Sequence, residues 1–282
     1  MSEESTNAPV SLCDKRKNDV CSYYESDDYD PQSSWIHSTD KAQNIISLCN
    51  KFPHTNILEI GCGDGAVLVR LHEKEFAKNL RGVDICKTAI DKAKNRAESR
   101  NIKSGLEFEV FDFDADKREQ FPYKGIEFNL CILTHVIEHV ENPRRLLCEA
   151  GNVAPYVFVE VPLEDTLRLK KASYYDDDYD EYDDYEPDDE FDEHINIYSY
   201  NSIRWLIQSC GFIIISHKVT IPSFKVYKLR FGEQRADLEY KPAKLALQMN
   251  DRVAASFFDC YISSILCKLE PELCNCRPKS VN

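Results

Sequence analysis

Hydrophobic residues occur along the middle of the chain in two alternating patterns. Short, unbroken apolar runs at NILEIG (56–61), FNLCIL (128–133) and YVFVEVP (156–162) predict strands that are buried on both sides. Segments such as 66–75 and 87–101 instead place apolar residues at helical spacing. Strands that alternate with helices of this length are typical of an α/β fold, here a doubly wound, mostly parallel sheet with helices on both faces.

The same pattern predicts where the domain begins and ends. Residues 1–32 are polar and partly acidic, so we expect a disordered N-terminus, followed by one domain over 33–269 and a tail at 270–282. Near the end of the domain, 243–258 has helical spacing, and CYISSILCKL (260–269) is a candidate for the last strand.

The net charge of −14 comes largely from one segment. Residues 176–193 contain 13 acidic residues and no basic one, inside an acidic insertion that spans 174–193. The rest of the chain is close to neutral and lacks the basic surface of nucleic-acid-binding proteins. Nucleic acid is therefore not an expected partner.

The composition also bears on the compartment. No stretch is long and apolar enough to span a bilayer, and the first residues lack the apolar centre of a signal peptide, so we expect a cytoplasmic location. The chain has twelve cysteines. Several of them, including Cys62, Cys131 and Cys148, lie among apolar residues, and in a cytosolic protein we expect such thiols to be reduced.

A glycine-rich turn follows the first predicted strand, in LEIGCGDG (58–65). Gly61 and Gly63 let a ligand approach the backbone at the carboxyl end of a strand, which is where doubly wound sheets bind ligands. Asp84 ends the second strand, where a carboxylate can accept hydrogen bonds from both hydroxyls of a ribose. Asp112 ends the third strand and is placed to accept from an adenine amine. Three successive strand ends thus predict a site for an adenosine-containing ligand.

These segments resemble the successive motifs of class I S-adenosylmethionine-dependent methyltransferases, namely ILEIGCGDG, GVDI, VFDFDAD and FNLCILTHVIEHVENP. The likeness is to the broad group that includes the ubiquinone-pathway O-methyltransferases, and EHINIYSYNSIRWLIQSCGF (193–212) extends it. The resemblance implies a seven-stranded sheet whose last strand is antiparallel. The segment 260–269 is our candidate for that strand.

The resemblance also implies which residues hold the cofactor, S-adenosylmethionine. They lie at the ends of the first four strands: Glu59, Gly61, Cys62, Gly63, Asp84, Ile85, Asp112, Phe113 and Thr134. The glycine turn would back the methionine part, with Glu59 near its amino group. Asp84 and Ile85 would hold the ribose, and Asp112 and Phe113 the adenine. Thr134 would lie under the sulfonium.

The resemblance further implies methyl transfer to an oxygen or nitrogen atom of a small-molecule acceptor. A hydroxyl or a protonated amine needs a general base, and histidine is the side chain most easily tuned for that role. His135 and His194 flank the expected position of the methyl group and are the candidate catalytic residues. The acidic insertion and a substrate-cover segment at 220–258 lie beside the expected entrance. A cationic acceptor, recruited by the acidic segment, is one option.

Two other functions stay open. His135, Glu138, His139 and His194 resemble the ligand set of metal-dependent 2′-O-methyltransferases of small RNAs, but His135 replaces the first glutamate of that set, so we assign no metal. A methyltransferase-like scaffold without catalysis is the other function. The His-x-x-Glu-His string also matches a metalloprotease motif. The Asn-Pro pair that follows predicts a helix start, which places the string in a turn and argues against a protease.

Overall fold

The fold is seen in a computed structural model, which describes residues 21–113, 120–167, 194–270 and 272. The acidic insertion predicted at 174–193 lies outside these residues, as do residues 1–20 and nearly all of the predicted tail at 270–282.

The strands of the described residues form one sheet. They are β1 (Asn56–Ile60), β2 (Asn79–Asp84), β3 (Leu106–Val110), β4 (Leu130–Thr134), β5 (Tyr156–Leu163), β6 (Phe212–Thr220) and β7 (Tyr261–Leu269). Their order across the sheet is β3-β2-β1-β4-β5-β7-β6. The first five strands pair in parallel, whereas β7 is antiparallel to both of its neighbours, β5 and β6. The predicted α/β class is confirmed, and so is the reversed strand at 260–269.

Helices cover both faces of this sheet. They are α1 (Pro31–Cys49), α2 (Ala66–Glu73), α3 (Lys87–Ser99), α4 (Pro143–Val153), α5 (Tyr200–Ser209), α6 (Phe224–Phe231), α7 (Glu233–Met249) and α8 (Asp251–Phe257). One hydrophobic core joins α1, α2 and α3 to one face of the sheet. A second core joins α4, α5 and the α6–α8 segment to the other face.

Strand β4 shows why the central strands are continuous apolar runs. Leu130 and Ile132 belong to the core beneath α1, α2 and α3, whereas Cys131 and Leu133 belong to the core on the opposite face. All four side chains are at most 1% exposed. Successive residues of a strand point to opposite faces, so a sheet covered on both sides needs apolar residues at every position.

The string THVIEHVENP forms the turn between β4 and α4, as predicted. Thr134 is the last residue of β4, and Pro143 is the first residue of α4. Asn142 is the N-cap of α4, and its side chain accepts a hydrogen bond from the Arg145 amide at 3.0 Å. The histidines of the string therefore do not lie on one long helix, which a metalloprotease of that motif would require.

The N-terminal region departs from the predicted disorder. Residues 21–25 are helical, and α1 begins at Pro31, inside the stretch predicted to be disordered. The Asp30 side chain caps α1 by accepting hydrogen bonds from the Gln32 and Ser33 amides, at 2.8 and 3.0 Å. The prediction is wrong for residues 21–32 because it was based on their acidic composition. The tyrosine rings of this stretch pack against one another and give it apolar surface to bury.

A single helix predicted at 243–258 is two helices in the structure. Helix α7 begins earlier, at Glu233, and ends at Met249. The Asn250 side chain accepts a hydrogen bond from the Val253 amide at 2.9 Å and starts α8. An asparagine that caps a new helix interrupts the old one, although the apolar spacing continues through it.

The cysteines are mostly as expected. Cys62 and Cys131 carry free, buried thiols. Cys148 is disulfide-bonded, so the prediction that it is reduced is wrong. None of the helices in the described residues is both long and apolar enough to cross a membrane.

The burial of both faces of the sheet leads to a prediction about stability. Ile132→Val should lower the free energy of unfolding by about 1 kcal/mol, because it removes a methylene group from a fully buried site. Ile213→Val is the matched control, since Ile213 is also in a strand but is 45% exposed, and it should change stability by less than about 0.5 kcal/mol. Urea unfolding measures both, and equal losses would contradict the packing described above.

Candidate active site

The glycine turn after β1 has a backbone that requires glycine. Gly61 and Gly63 have φ angles of 71° and 51°, in the left-handed region that other residues rarely adopt. A Cβ atom on residue 61 would also lie 2.5 Å from a methyl group of Val136. The amides of Gly61 and Cys62 donate to the Val83 carbonyl at 2.8 and 3.1 Å, so the turn is held against the end of β2.

Asp84, the last residue of β2, is oriented by this turn. One of its carboxylate oxygens accepts from the Gly63 amide at 2.8 Å, and the other accepts from the Cys86 amide at 2.9 Å. Burial raises the pKa of Asp84, and these hydrogen bonds oppose the rise. Each oxygen retains a lone pair for a further donor, so the carboxylate fits a pair of ribose hydroxyls. Ile85 follows it in the same turn.

Glu59, in β1, is a buried carboxyl group with an unused oxygen. Its Oε1 accepts a hydrogen bond from the Thr134 hydroxyl at 3.0 Å, and its Oε2 is buried without a hydrogen-bond partner in the part of the chain that the structure describes. Burial raises the pKa of Glu59 to about 8. A buried acceptor without a donor costs stability, and a ligand ammonium group placed there would satisfy it.

The residues after β3 form an aromatic cluster at the same edge of the sheet. The Phe113 ring lies 4.8 Å from the Phe111 ring and 5.6 Å from the Phe121 ring, measured between centroids. Asp112 precedes Phe113 in the chain, and both are partly buried. The sequence placed Asp112 at the end of the third strand, but that strand already ends at Val110.

The predicted cofactor residues therefore follow four adjacent parallel strands, in the spatial order β3-β2-β1-β4. The register pairs Ile60 with Val83, and Asp84 with Val110, so these strands end at one level. The structure brings the glycine turn, Asp84, Phe113 and Thr134 to one edge of the sheet.

His135 follows Thr134 directly and has an unusual backbone. Its φ of 54° is in the left-handed region, which few residues other than glycine adopt. Its amide donates to the Glu160 carbonyl at 2.9 Å. Its ring nitrogens lie 3.4 Å from a Glu138 carboxylate oxygen and 3.7 Å from a Glu160 carboxylate oxygen. Burial, followed by the positive charge of Lys41, holds the pKa of His135 well below its usual value, so the ring is neutral.

Two buried glutamates flank His135. Glu138 is fully buried, and neither of its carboxylate oxygens has a hydrogen-bond partner among the described residues. Glu160 accepts hydrogen bonds from Asn44 at 2.9 Å and from Ser264 at 2.7 Å. Burial raises the pKa of both glutamates to about 7.

His194 is held by a second acidic group. Its Nδ1 lies 2.8 Å from a carboxylate oxygen of Glu164, and the other oxygen of Glu164 accepts from Arg230 at 3.2 Å. Burial alone would lower the pKa of His194, but the hydrogen bond to Glu164 and its negative charge outweigh burial and raise it. This arrangement leaves Nε2 as the nitrogen that can bind a ligand or a proton.

The two candidate catalytic histidines line one cavity of about 860 Å³. Its lining includes His135, Glu160 and His194, together with residues of the predicted cover segment such as Ser223 and Arg230. The volume is in the range of small-molecule sites.

Sequence reasoning missed several residues of this cavity. Glu160, Asn44 and Lys41 were not singled out, nor were Glu164 and Arg230, although all of them either line the cavity or orient a residue that does. One signal was available, because Glu160 is a glutamate inside the apolar run YVFVEVP. A buried carboxyl group in such a run is rare without a partner or a role.

Three of the four sequence candidates for metal ligands lie together. Glu138, His139 and His194 each offer a ligand atom, and these atoms lie within 4.8 Å of one another. The unused oxygens of Glu138 fit a cation. Carboxylate and imidazole groups are suitable ligands for zinc and similar divalent ions. His135 is not part of this group.

Comparisons with known proteins agree with this geometry. A family model described as a methyltransferase domain matches residues 34–217. Norajmaline N-methyltransferase from Rauvolfia serpentina is 28% identical over 111 residues, which are 39% of this chain and 36% of the relative. The mitochondrial ubiquinone biosynthesis O-methyltransferase of Saccharomyces cerevisiae is 24% identical over 105 residues, which are 37% of this chain and 31% of the relative. The match therefore spans about a third of the length of these curated relatives.

A solved structure gives the same fold over nearly the whole chain. Magnesium protoporphyrin IX methyltransferase from Synechocystis PCC 6803, solved with bound S-adenosylhomocysteine, aligns with a TM-score of 0.53 and 13% identity. The alignment covers 94% of this chain and 90% of that structure. Together with the family match over residues 34–217, it shows that the chain belongs to the class I S-adenosylmethionine-dependent methyltransferase family.

Proposed function

We propose that this protein transfers a methyl group from S-adenosylmethionine to an oxygen or nitrogen atom of a small molecule. One observation carries the proposal. Thr134 bonds to Glu59 beside the glycine turn, and the next residue, His135, lines the cavity of about 860 Å³. Thr134 of the predicted cofactor site is thus followed directly by a residue that lines a cavity of small-molecule size.

The cofactor residues fit S-adenosylmethionine group by group. The unused Glu59 oxygen fits the ammonium group of the methionine part, which Gly61, Cys62 and Gly63 would back. The Asp84 carboxylate and Ile85 fit the ribose, and Asp112 and Phe113 fit the adenine. When bound, the cofactor supplies an electrophilic methyl group on a positively charged sulfur. The main task of the chain is to align the acceptor with that methyl group and to exclude water.

The cavity is suited to an acceptor that gives up a proton. His194 is oriented by Glu164, and its Nε2 can take a proton from a hydroxyl or an ammonium group. Glu160, with a pKa of about 7, provides a second proton acceptor in the same cavity. His135 is the weaker candidate base, because burial keeps its pKa well below that of a free imidazole.

A cationic acceptor is favoured by charge. The acidic insertion ends at Glu193, next to His194 in the cavity wall, and it places 13 acidic residues in the adjoining sequence. A segment with this density of negative charge attracts cations. The near-neutral remainder of the chain gives no comparable attraction for nucleic acid.

A metal-assisted transfer is the second candidate. The observation that favours it is the group of Glu138, His139 and His194, with a Glu138 carboxylate that has no hydrogen-bond partner among the residues the structure describes. The contact between His194 and Glu164 has the form of a carboxylate that orients a metal-bound histidine. A divalent ion held there would bind and polarise an acceptor oxygen.

Substitution of His194 tests the proposed base. The assay is formation of S-adenosylhomocysteine with a panel of catechols and secondary amines. We expect turnover with at least one compound, and His194→Gln should lower kcat by about 10²–10⁴-fold. His72→Gln is the control, because His72 does not line the cavity and its ring lies 3.1 Å from the Ser104 carbonyl oxygen. Methylation of RNA or protein, with none of the small molecules, would refute the proposal.

Proton release tests the role of Glu59. With a pKa of about 8, Glu59 is mostly protonated at pH 7, and a bound ammonium group favours its charged form. Binding of S-adenosylhomocysteine should therefore release up to one proton, a number that falls as the pH rises above 8. Calorimetry in buffers of different ionisation enthalpy measures it. Glu59→Gln should abolish the release, and unchanged release in that variant would place the ammonium elsewhere.

Chelation separates the two candidates. If His194 acts as a base without a metal, treatment with EDTA should change turnover by less than about twofold, since no step then depends on an ion. The metal-assisted route would be established by three results together. EDTA abolishes turnover, a divalent ion restores it, and the same ion does not restore it in Glu138→Gln.

A further inference from the structure

An N-terminal segment lies across the glycine turn. We call residues 21–29 the clasp. The Tyr24 hydroxyl lies where a side chain on residue 63 would begin, so only glycine leaves room for it. The Cys21 thiol lies beside Cys86 and close to Asp84. The clasp thus contacts the glycine turn and lies near the carboxylate at the end of β2, the two features to which the cofactor is assigned.

The clasp is fastened at its other end by polar contacts. The Tyr29 hydroxyl donates a hydrogen bond to Asp64 at 2.6 Å. Asp64 is buried and forms an ion pair with Arg96 of α3. The Thr88 hydroxyl donates to Glu25 at 3.0 Å. These bonds join the clasp to the starts of α2 and α3, on both sides of the turn.

Aromatic packing makes the clasp one unit. The rings of Tyr23, Tyr24 and Tyr29 lie 5.4–5.9 Å apart between centroids. The Lys92 ammonium lies 4.2 Å from the centre of the Tyr29 ring. Contacts of this kind stabilise a short segment that has little apolar surface of its own.

Cys21 and Tyr24, the two clasp residues near Asp84, are neutral. Burial, and then the negative charges of Asp84 and Asp64, raise the pKa of the Tyr24 phenol well above its usual value. Burial, then the Cys86 thiol, and then the negative charges of Asp84 and Glu25 raise the pKa of Cys21 to about 12. Both groups therefore keep their protons and can donate hydrogen bonds.

The clasp lies before the segments that identify the family. The family model matches residues 34–217, so the clasp precedes the matched region. The motifs that assign the cofactor likewise begin after it.

We propose that the clasp is the outer wall of the cofactor site, with Tyr24 covering the bound cofactor at the junction of its methionine and ribose parts. The inference rests on the cofactor position proposed above. The wall shields the sulfonium side from water and slows cofactor release. If Tyr24 instead filled the space that the cofactor needs, its removal would lower the Kd for the cofactor and not raise it.

Binding of S-adenosylhomocysteine to the full chain tests the clasp. Tyr24→Ala should raise Kd and the dissociation rate at least tenfold, because it removes the wall. Tyr29→Phe should raise Kd about threefold to tenfold, because it removes the hydrogen bond that fastens the clasp closed. Tyr156→Phe is the control and should bind as the unmodified protein does, since Tyr156 begins β5 and packs on Phe52, away from the glycine turn.

Three outcomes overturn the proposal. Unchanged binding in both Tyr24→Ala and Tyr29→Phe shows that the clasp is not part of the site, and tighter binding shows that it blocks the site. Asp84→Ala distinguishes the remaining failure: if that variant still binds normally, the cofactor position itself is wrong. Thermal unfolding shows whether each variant is folded. If Tyr24→Ala does not fold, Tyr29→Phe still tests the proposal, because it removes only a hydroxyl group.

Discussion

The burial of both faces of the sheet is the constraint on which the rest of the structure depends. Every side chain of β4 up to its end is enclosed, with Cys131 and Ile132 facing opposite cores. Polar side chains are therefore displaced to the carboxyl ends of the strands, where the chain turns. The glycine turn, Asp84 and Thr134 meet at that edge because parallel strands all end on the same side.

The same burial sets the protonation states in the site. Glu59, Glu138 and Glu160 are enclosed by the sheet and its helices, and burial raises the pKa of each to about 7 or 8. His135 is kept neutral for the same reason. His194 differs because Glu164 lies against it and outweighs the effect of burial. A set of ordinary side chains thus becomes a group that can exchange protons near neutral pH.

The site is completed by segments far apart in the chain. Helix α1 supplies Asn44, which bonds to Glu160 across more than a hundred residues of sequence. The α6 segment supplies Arg230, which holds Glu164 and so fixes His194. The clasp supplies Tyr24, which lies against Gly63, and Tyr23 and Asp28, which line the cavity. The sheet supplies a fixed edge, and helix α1, the α6 segment and the clasp enclose the cavity beside it.

The sequence by itself determined the alternating strands and helices and the strand-end motifs, because these depend on local periodicity and on turns that only glycine allows. The family resemblance supplied the reversed last strand. Gly61 and Asp84 could be singled out for that reason. Only the tertiary structure decided that Glu160 and Glu164 belong to the site, that Glu138, His139 and His194 meet, and that an acidic tyrosine segment is ordered. Those outcomes depend on contacts between distant segments, and a residue's own neighbours in sequence do not carry that information.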